Sequence, residues 1–216
     1  MKKIGYIILL SIVFIVDLLG IYFDKIGIRI YSKPLLIPII ALIYYQLNKT
    51  KSLSNNKLFL TGLFFSFLGD VFLLKDSGFL YGLASFLLAH IFYIICFYRI
   101  KSPQFSLVKL LPIAIYLVTF ISLFWGHLGE MKIPVIVYAS AISVMLYFSL
   151  GLKNKYIKFG ALFFVISDTI LAHSIFFEYY NVYKGLAVMI TYIIAQVCLA
   201  YGIYNIVKYQ REIQPK

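Results

Sequence analysis

Apolar residues run along this chain in long stretches, each closed by a short cluster of charged or small polar positions. Eight such stretches predict eight helices, at about 4–23, 31–48, 57–74, 77–98, 105–125, 132–152, 157–177 and 184–207. Each is long enough to cross a bilayer, which takes roughly 20 apolar residues. The connections are too short to hold a soluble domain, so residues 1–216 read as one integral membrane domain. Pro34, Pro103 and Pro134 mark helix starts, where proline is tolerated, while Pro38 and Pro112 fall further in and predict kinks in spans two and five. The first stretch follows Lys2-Lys3 like a signal peptide. The segment Asp17 to Tyr22 has no small-x-small cleavage site, so an uncleaved first span is expected.

Composition narrows the class. Hydrophobic residues make up 62% of the chain and charged residues 13%, with a mean hydropathy of +0.93. These values exclude a soluble enzyme, a disordered chain and a secreted disulfide scaffold. Cys96 and Cys198 lie within apolar stretches without a CxxC partner and read as small packing residues. The net charge of +12 reports orientation rather than nucleic acid, because the basic residues sit between spans and form no continuous face. The side bearing both termini carries 14 Lys and Arg, the other side 6. The positive-inside rule then places both termini in the cytoplasm. A Lys-, Ile- and Tyr-rich composition points to an AT-rich bacterial genome and hence to a cytoplasmic membrane. No protein partner is implied.

An internal repeat organises the chain. With an offset of 98 residues, Gly62-Leu-Phe-Phe-Ser-Phe-Leu-Gly69-Asp70 falls over Gly160-Ala-Leu-Phe-Phe-Val-Ile-Ser167-Asp168. Gly82-Leu83-Ala84 matches Gly185-Leu186-Ala187, and Lys33-Pro34 has a looser counterpart in Lys132-Ile133-Pro134. The predicted fold is therefore all-α, with eight transmembrane helices in two parallel four-helix repeats, roughly 1–102 and 103–216. Sites in such architectures lie where the halves meet.

A carboxylate within a span costs about 2.5–3.5 kcal/mol on insertion scales, so it needs a reason. Asp70 and Asp168 occupy equivalent positions on spans three and seven, away from the expected span ends. They share stripes with Gly62, Ser66 and Gly69, and with Gly160 and Ser167, small residues that let helices approach closely. Each is either an interhelical clasp or a functional acid, and their pairing through a repeat favours function. His90 on span four, and Tyr192 with Gln196 on span eight, are candidate helpers or interhelical hydrogen bonders. Lys33, opening span two, either snorkels or holds a phosphate. His173 is expected to face away from Asp168, and His127 and Glu130 fall in a loop. Asp17 has no repeat partner, and Asp24, Asp76 and Glu178 read as boundary charges. No His/Cys/carboxylate set suits a metal, and no cofactor is expected.

These residues resemble the YhhN-like lysoplasmalogenase family of eight-span membrane proteins. The resemblance rests on Lys33-Pro34, Gly62 through Leu74, Gly82 through Tyr93, Pro134 through Tyr138, Phe163 through Ala172, and Tyr192 to Gln196. It covers most of the chain, leaves out the first span, and is most specific at the two Asp motifs. It implies hydrolysis of the vinyl ether bond of lysoplasmalogens to a fatty aldehyde and a glycerophospho-alcohol. Asp70 and Asp168 would be catalytic, with Lys33, Ser66, His90, Tyr138, Ser167, Tyr192 and Gln196 as substrate-binding candidates and membrane lysophospholipid as the partner. The chemistry suits two carboxyls: one protonates the β carbon, and the other stabilises the oxocarbenium ion and orients water. Which Asp does which stays open. A proton-coupled transporter or lipid scramblase using the same carboxylates is the alternative. An intramembrane aspartyl protease would need a GxGD motif, and a ceramidase-type zinc amidase more intramembrane histidines.

Overall fold

A computed structural model describes residues 2–48, 54–101, 104, 106–177 and 181–213. Among them are eight α-helices and no strand: α1 (Lys2–Tyr22), α2 (Ile26–Leu47), α3 (Ser54–Phe72), α4 (Phe79–Ile100), α5 (Leu107–Phe124), α6 (Lys132–Gly151), α7 (Lys155–Phe176) and α8 (Val182–Ile213). Seven are long and apolar enough to cross a membrane; α3 falls short, since it opens on Ser-Asn-Asn-Lys and carries Asp70. Large apolar side chains such as Ile4, Ile8, Val108 and Leu111 face outward, as a lipid-facing surface requires.

Local chemistry sets several boundaries. The Asn154 side chain caps α7 by accepting from the Tyr156 and Ile157 amides at 3.0 and 3.3 Å. Asn181 accepts from the Lys184 amide at 2.8 Å at the start of α8. Pro134 lies in the first turn of α6, as expected, and Pro38 and Pro112 lie inside α2 and α5. Pro103 is outside the described residues.

Two expected boundaries are corrected. Lys33-Pro34 does not open the second helix. Asp24, at φ 51°, closes a tight turn after α1, so α2 starts at Ile26 and Lys33 lies about 10 Å inside it. Asp70 is not remote from a helix end either. The chain turns after Phe72, whose carbonyl accepts from the Lys75 amide at 3.1 Å, which leaves Asp70 in the last turn of α3.

Helix α3 packs chiefly on α4 and α7 on α8; α4 also meets α6, and α2 meets both α3 and α8. The small-residue stripes make the two main pairings possible. A Cβ on Gly69 would lie 2.6 Å from the Phe86 ring of α4, and one on Gly160 would lie 2.9 Å from Leu199 of α8. Tyr44, Phe59, Tyr93 and Phe97 fill the centre of the core.

Candidate active site

Asp70 is only 2% exposed, at the end of α3. Its Oδ2 accepts from the Tyr192 hydroxyl of α8 at 2.8 Å. Its Oδ1 lies 3.6 Å from the Lys33 ammonium of α2. A buried carboxylate stays ionised only beside such partners, and Lys33 was not foreseen as its counter-ion.

Asp168, in α7, has a different setting. Its Oδ2 accepts from the Tyr138 hydroxyl of α6 in a short hydrogen bond. The fully buried His90 of α4 places Nε2 2.9 Å from that hydroxyl and 3.8 Å from the carboxylate. The Asp168 side chain is 18% exposed, against 3% for Asp70, so Asp168 is the more open acid.

Both acids line one cavity of about 450 Å3. Arg29, Lys33 and Lys75 line it too, together with Ser167 and Tyr192. Arg29, Lys75, Phe79 and Gly185 all lie close to the loops that join α1 to α2, α3 to α4 and α7 to α8. The cavity therefore sits at the end of the bundle away from both chain termini. A smaller pocket of about 50 Å3 adjoins it, walled by apolar side chains including Leu83, Phe120 and Val135. The two share Leu73, Phe79, Phe86, Leu171 and Asp168. Asp168 thus stands where a charged chamber passes into an apolar one.

The other candidates divide. Tyr138 lines the small pocket. Ser167 lines the large cavity while its Oγ donates to the Val188 carbonyl at 3.0 Å. Ser66 and Gln196 line neither chamber. With Tyr93 they close a buried triangle of hydrogen bonds at 3.2, 3.0 and 3.1 Å that ties α3, α4 and α8 together. His173 lies 3.0 Å from the Lys184 ammonium and stacks on Phe177. Among the described residues no three His, Cys, Asp or Glu side chains converge as a metal site.

The sequence reading passed over Arg29 and Lys75 and left Asp17 unexplained. Asp17 is fully buried on α1, accepts from Ser32 Oγ at 2.8 Å and lies 3.7 Å from Arg29 Nε. The available signal was an acid and a base facing each other across one short turn.

Comparison with known proteins identifies the family of the chain. The YhhN family model matches residues 28–203, which include both acids and every partner just named except Asp17. A mouse protein, Lysoplasmalogenase TMEM86B, is 32% identical over 168 residues, covering 75% of this chain and 70% of its own length. No solved structure matches the chain. With residues 28–203 matched and a helical bundle whose outer surface is apolar, the chain is a multi-pass membrane protein of the YhhN family.

Proposed function

We propose that this chain is a lysoplasmalogenase: a membrane hydrolase that cleaves the vinyl ether bond of a lysophospholipid to a fatty aldehyde and a glycerophospho-alcohol. One observation carries the reading beyond the family relationship: Asp168 lies at the junction of a charged chamber and an apolar pocket. In a lysoplasmalogen the vinyl ether is the junction between the polar head and the hydrocarbon chain. The mouse relative named as a lysoplasmalogenase supports the same chemistry.

In this mechanism Asp168 donates its proton to the β carbon, leaving an oxocarbenium ion at the α carbon. The Asp70 carboxylate, held by Lys33 and Tyr192, stabilises that cation. Water adds to the α carbon and returns a proton to Asp168. The hemiacetal then collapses, its hydroxyl proton passing to the glycerol oxygen, to give aldehyde and alcohol. Tyr138, backed by His90, fixes the orientation of the Asp168 carboxyl.

All eight helices, α3 included, cross the membrane in this account, as two four-helix halves. Matching neighbours support that symmetry: α3–α4 with α7–α8, α2–α3 with α6–α7, and α2–α8 with α6–α4. Each acid also meets the second helix of its own half and the fourth helix of the other half. The charge bias supports cytoplasmic termini, and the Lys-, Ile- and Tyr-rich composition supports a bacterial membrane. The cavity then opens on the opposite face, and water-soluble product leaves there.

The test is aldehyde release by purified protein from an alkenyl lysophospholipid, beside its ester-linked analogue. Aldehyde from the alkenyl lipid, with no hydrolysis of the ester, supports the reading. Transbilayer movement of intact lipid without aldehyde would replace it with scrambling or transport.

A further inference from the structure

The cation expected to hold phosphate is already engaged, since Lys33 is the counter-ion of Asp70. Two further cations line the same cavity at its loop end, Arg29 and Lys75. Arg29 lies one turn inside α2, whereas Asp168 lies about two turns, or 12 Å, from the end of α7. A ligand entering from the loops meets Arg29 first.

Behind Arg29 stands Asp17, fully buried on a helix whose other faces are largely apolar and exposed. The carboxylate has little other support. Its Oδ1 takes the Ser32 hydroxyl at 2.8 Å and lies 3.7 Å from Arg29 Nε, while Oδ2 has no hydrogen-bond partner among the described residues. A buried, half-satisfied carboxylate is costly in isolation. Its geometry makes sense as a brace that holds a guanidinium at the cavity wall.

We propose that Arg29 and Lys75 form the subsite for the phosphodiester of the lysophospholipid head group, with Asp17 and Ser32 positioning the Arg29 guanidinium. The proposal rests on the lysoplasmalogenase reading. Arg29 supplies a planar fork suited to two phosphate oxygens, and Lys75 a compact second charge. A phosphate held there hangs the glycerol inward and brings the vinyl ether toward Asp168, with the first carbons of the chain at the apolar pocket. Head-group recognition is then built at the loop end of the bundle, by the α1–α2 pair and the connection between α3 and α4.

The test separates binding from catalysis. Calorimetry in nanodiscs compares an uncleavable 1-O-alkyl lysophosphatidylethanolamine with 1-O-alkylglycerol, which lacks the phosphate. The wild type is expected to prefer the phospholipid by about tenfold or more. Arg29→Gln and Lys75→Gln should each remove most of that preference and leave alkylglycerol binding unchanged. Asp17→Asn should reduce the preference less, and Arg29→Lys should keep part of it. In turnover of the alkenyl substrate, Arg29→Gln should raise KM about tenfold with kcat nearly constant.

An undiminished phosphate preference in both glutamine variants would overturn the proposal. So would an equal loss of both ligands in Lys75→Gln, a loop position where misfolding is not expected. Inorganic phosphate competing at micromolar concentration would reassign the site to free anion. The two readings fail separately. A wild type that prefers the phospholipid yet releases no aldehyde keeps the subsite and loses the hydrolase. Aldehyde release with an unaltered preference in the variants does the reverse.

Discussion

Asp70 and Asp168 occupy matching frames and differ in what fills them. Asp70 on α3 sits between α2 and α8, and Asp168 on α7 sits between α6 and α4. At Asp70 those helices supply a lysine and a tyrosine, and the acid is almost fully buried at the cavity wall. At Asp168 they supply a tyrosine and a histidine, and the acid faces both chambers. The helix geometry is alike at the two acids while the chemistry differs. A fixed ion pair and an open acid suit complementary roles in protonating a vinyl ether, one stabilising charge and the other moving a proton.

The sharpest way to break the comparison is to remove the open acid. Asp168→Asn preserves shape and is expected to cut aldehyde release about 10^3-fold, with the unfolding midpoint nearly unchanged. Both are read on one preparation, by aldehyde assay and thermal unfolding in detergent. The next effect falls on stability. Lys33→Met leaves Asp70 buried without its counter-ion and should cost about 3–5 kcal/mol in denaturant unfolding. Adding Asp70→Asn should recover much of that loss, and a double variant no better than Lys33→Met would dissolve the ion pair.

Smaller effects sharpen the contrast. Tyr138→Phe frees the orientation of Asp168 and should lower kcat about tenfold, whereas Tyr192→Phe acts on the more buried Asp70 and should lower it less. Equal losses would make the two settings equivalent. Gln196→Leu opens the buried triangle and should cost about 1–3 kcal/mol of stability, with KM and kcat close to wild type. A large rise in KM would instead bring Gln196 into the substrate site.

The helices and the Asp pair were legible because burial of apolar length and the price of an intramembrane charge are written locally. The small-residue stripes were legible for a related reason: Gly69 and Gly160 meet Phe86 and Leu199 where a Cβ would collide. Partnerships were not legible. Lys33 looked like the start of a helix because Pro34 follows it, yet the positive φ of Asp24 lets α2 begin earlier and carries Lys33 down to Asp70. Asp17 looked unexplained because its partner comes from the packing of α1 on α2. Ser66 and Gln196 share stripes with site residues, but a hydrogen-bonded triangle with Tyr93 turns them toward each other, and neither lines a chamber. Helical phase says which residues share a face; the neighbouring helix decides which of them meet.

The most direct measurement is the initial rate of aldehyde release from one alkenyl lysophospholipid by wild type, Asp70→Asn and Asp168→Asn at equal folded concentration. Both variants should lose activity, with Asp168→Asn the lower of the two because it loses the proton donor while Asp70→Asn loses only a stabilising charge. Wild-type rates in Asp168→Asn would contradict the account.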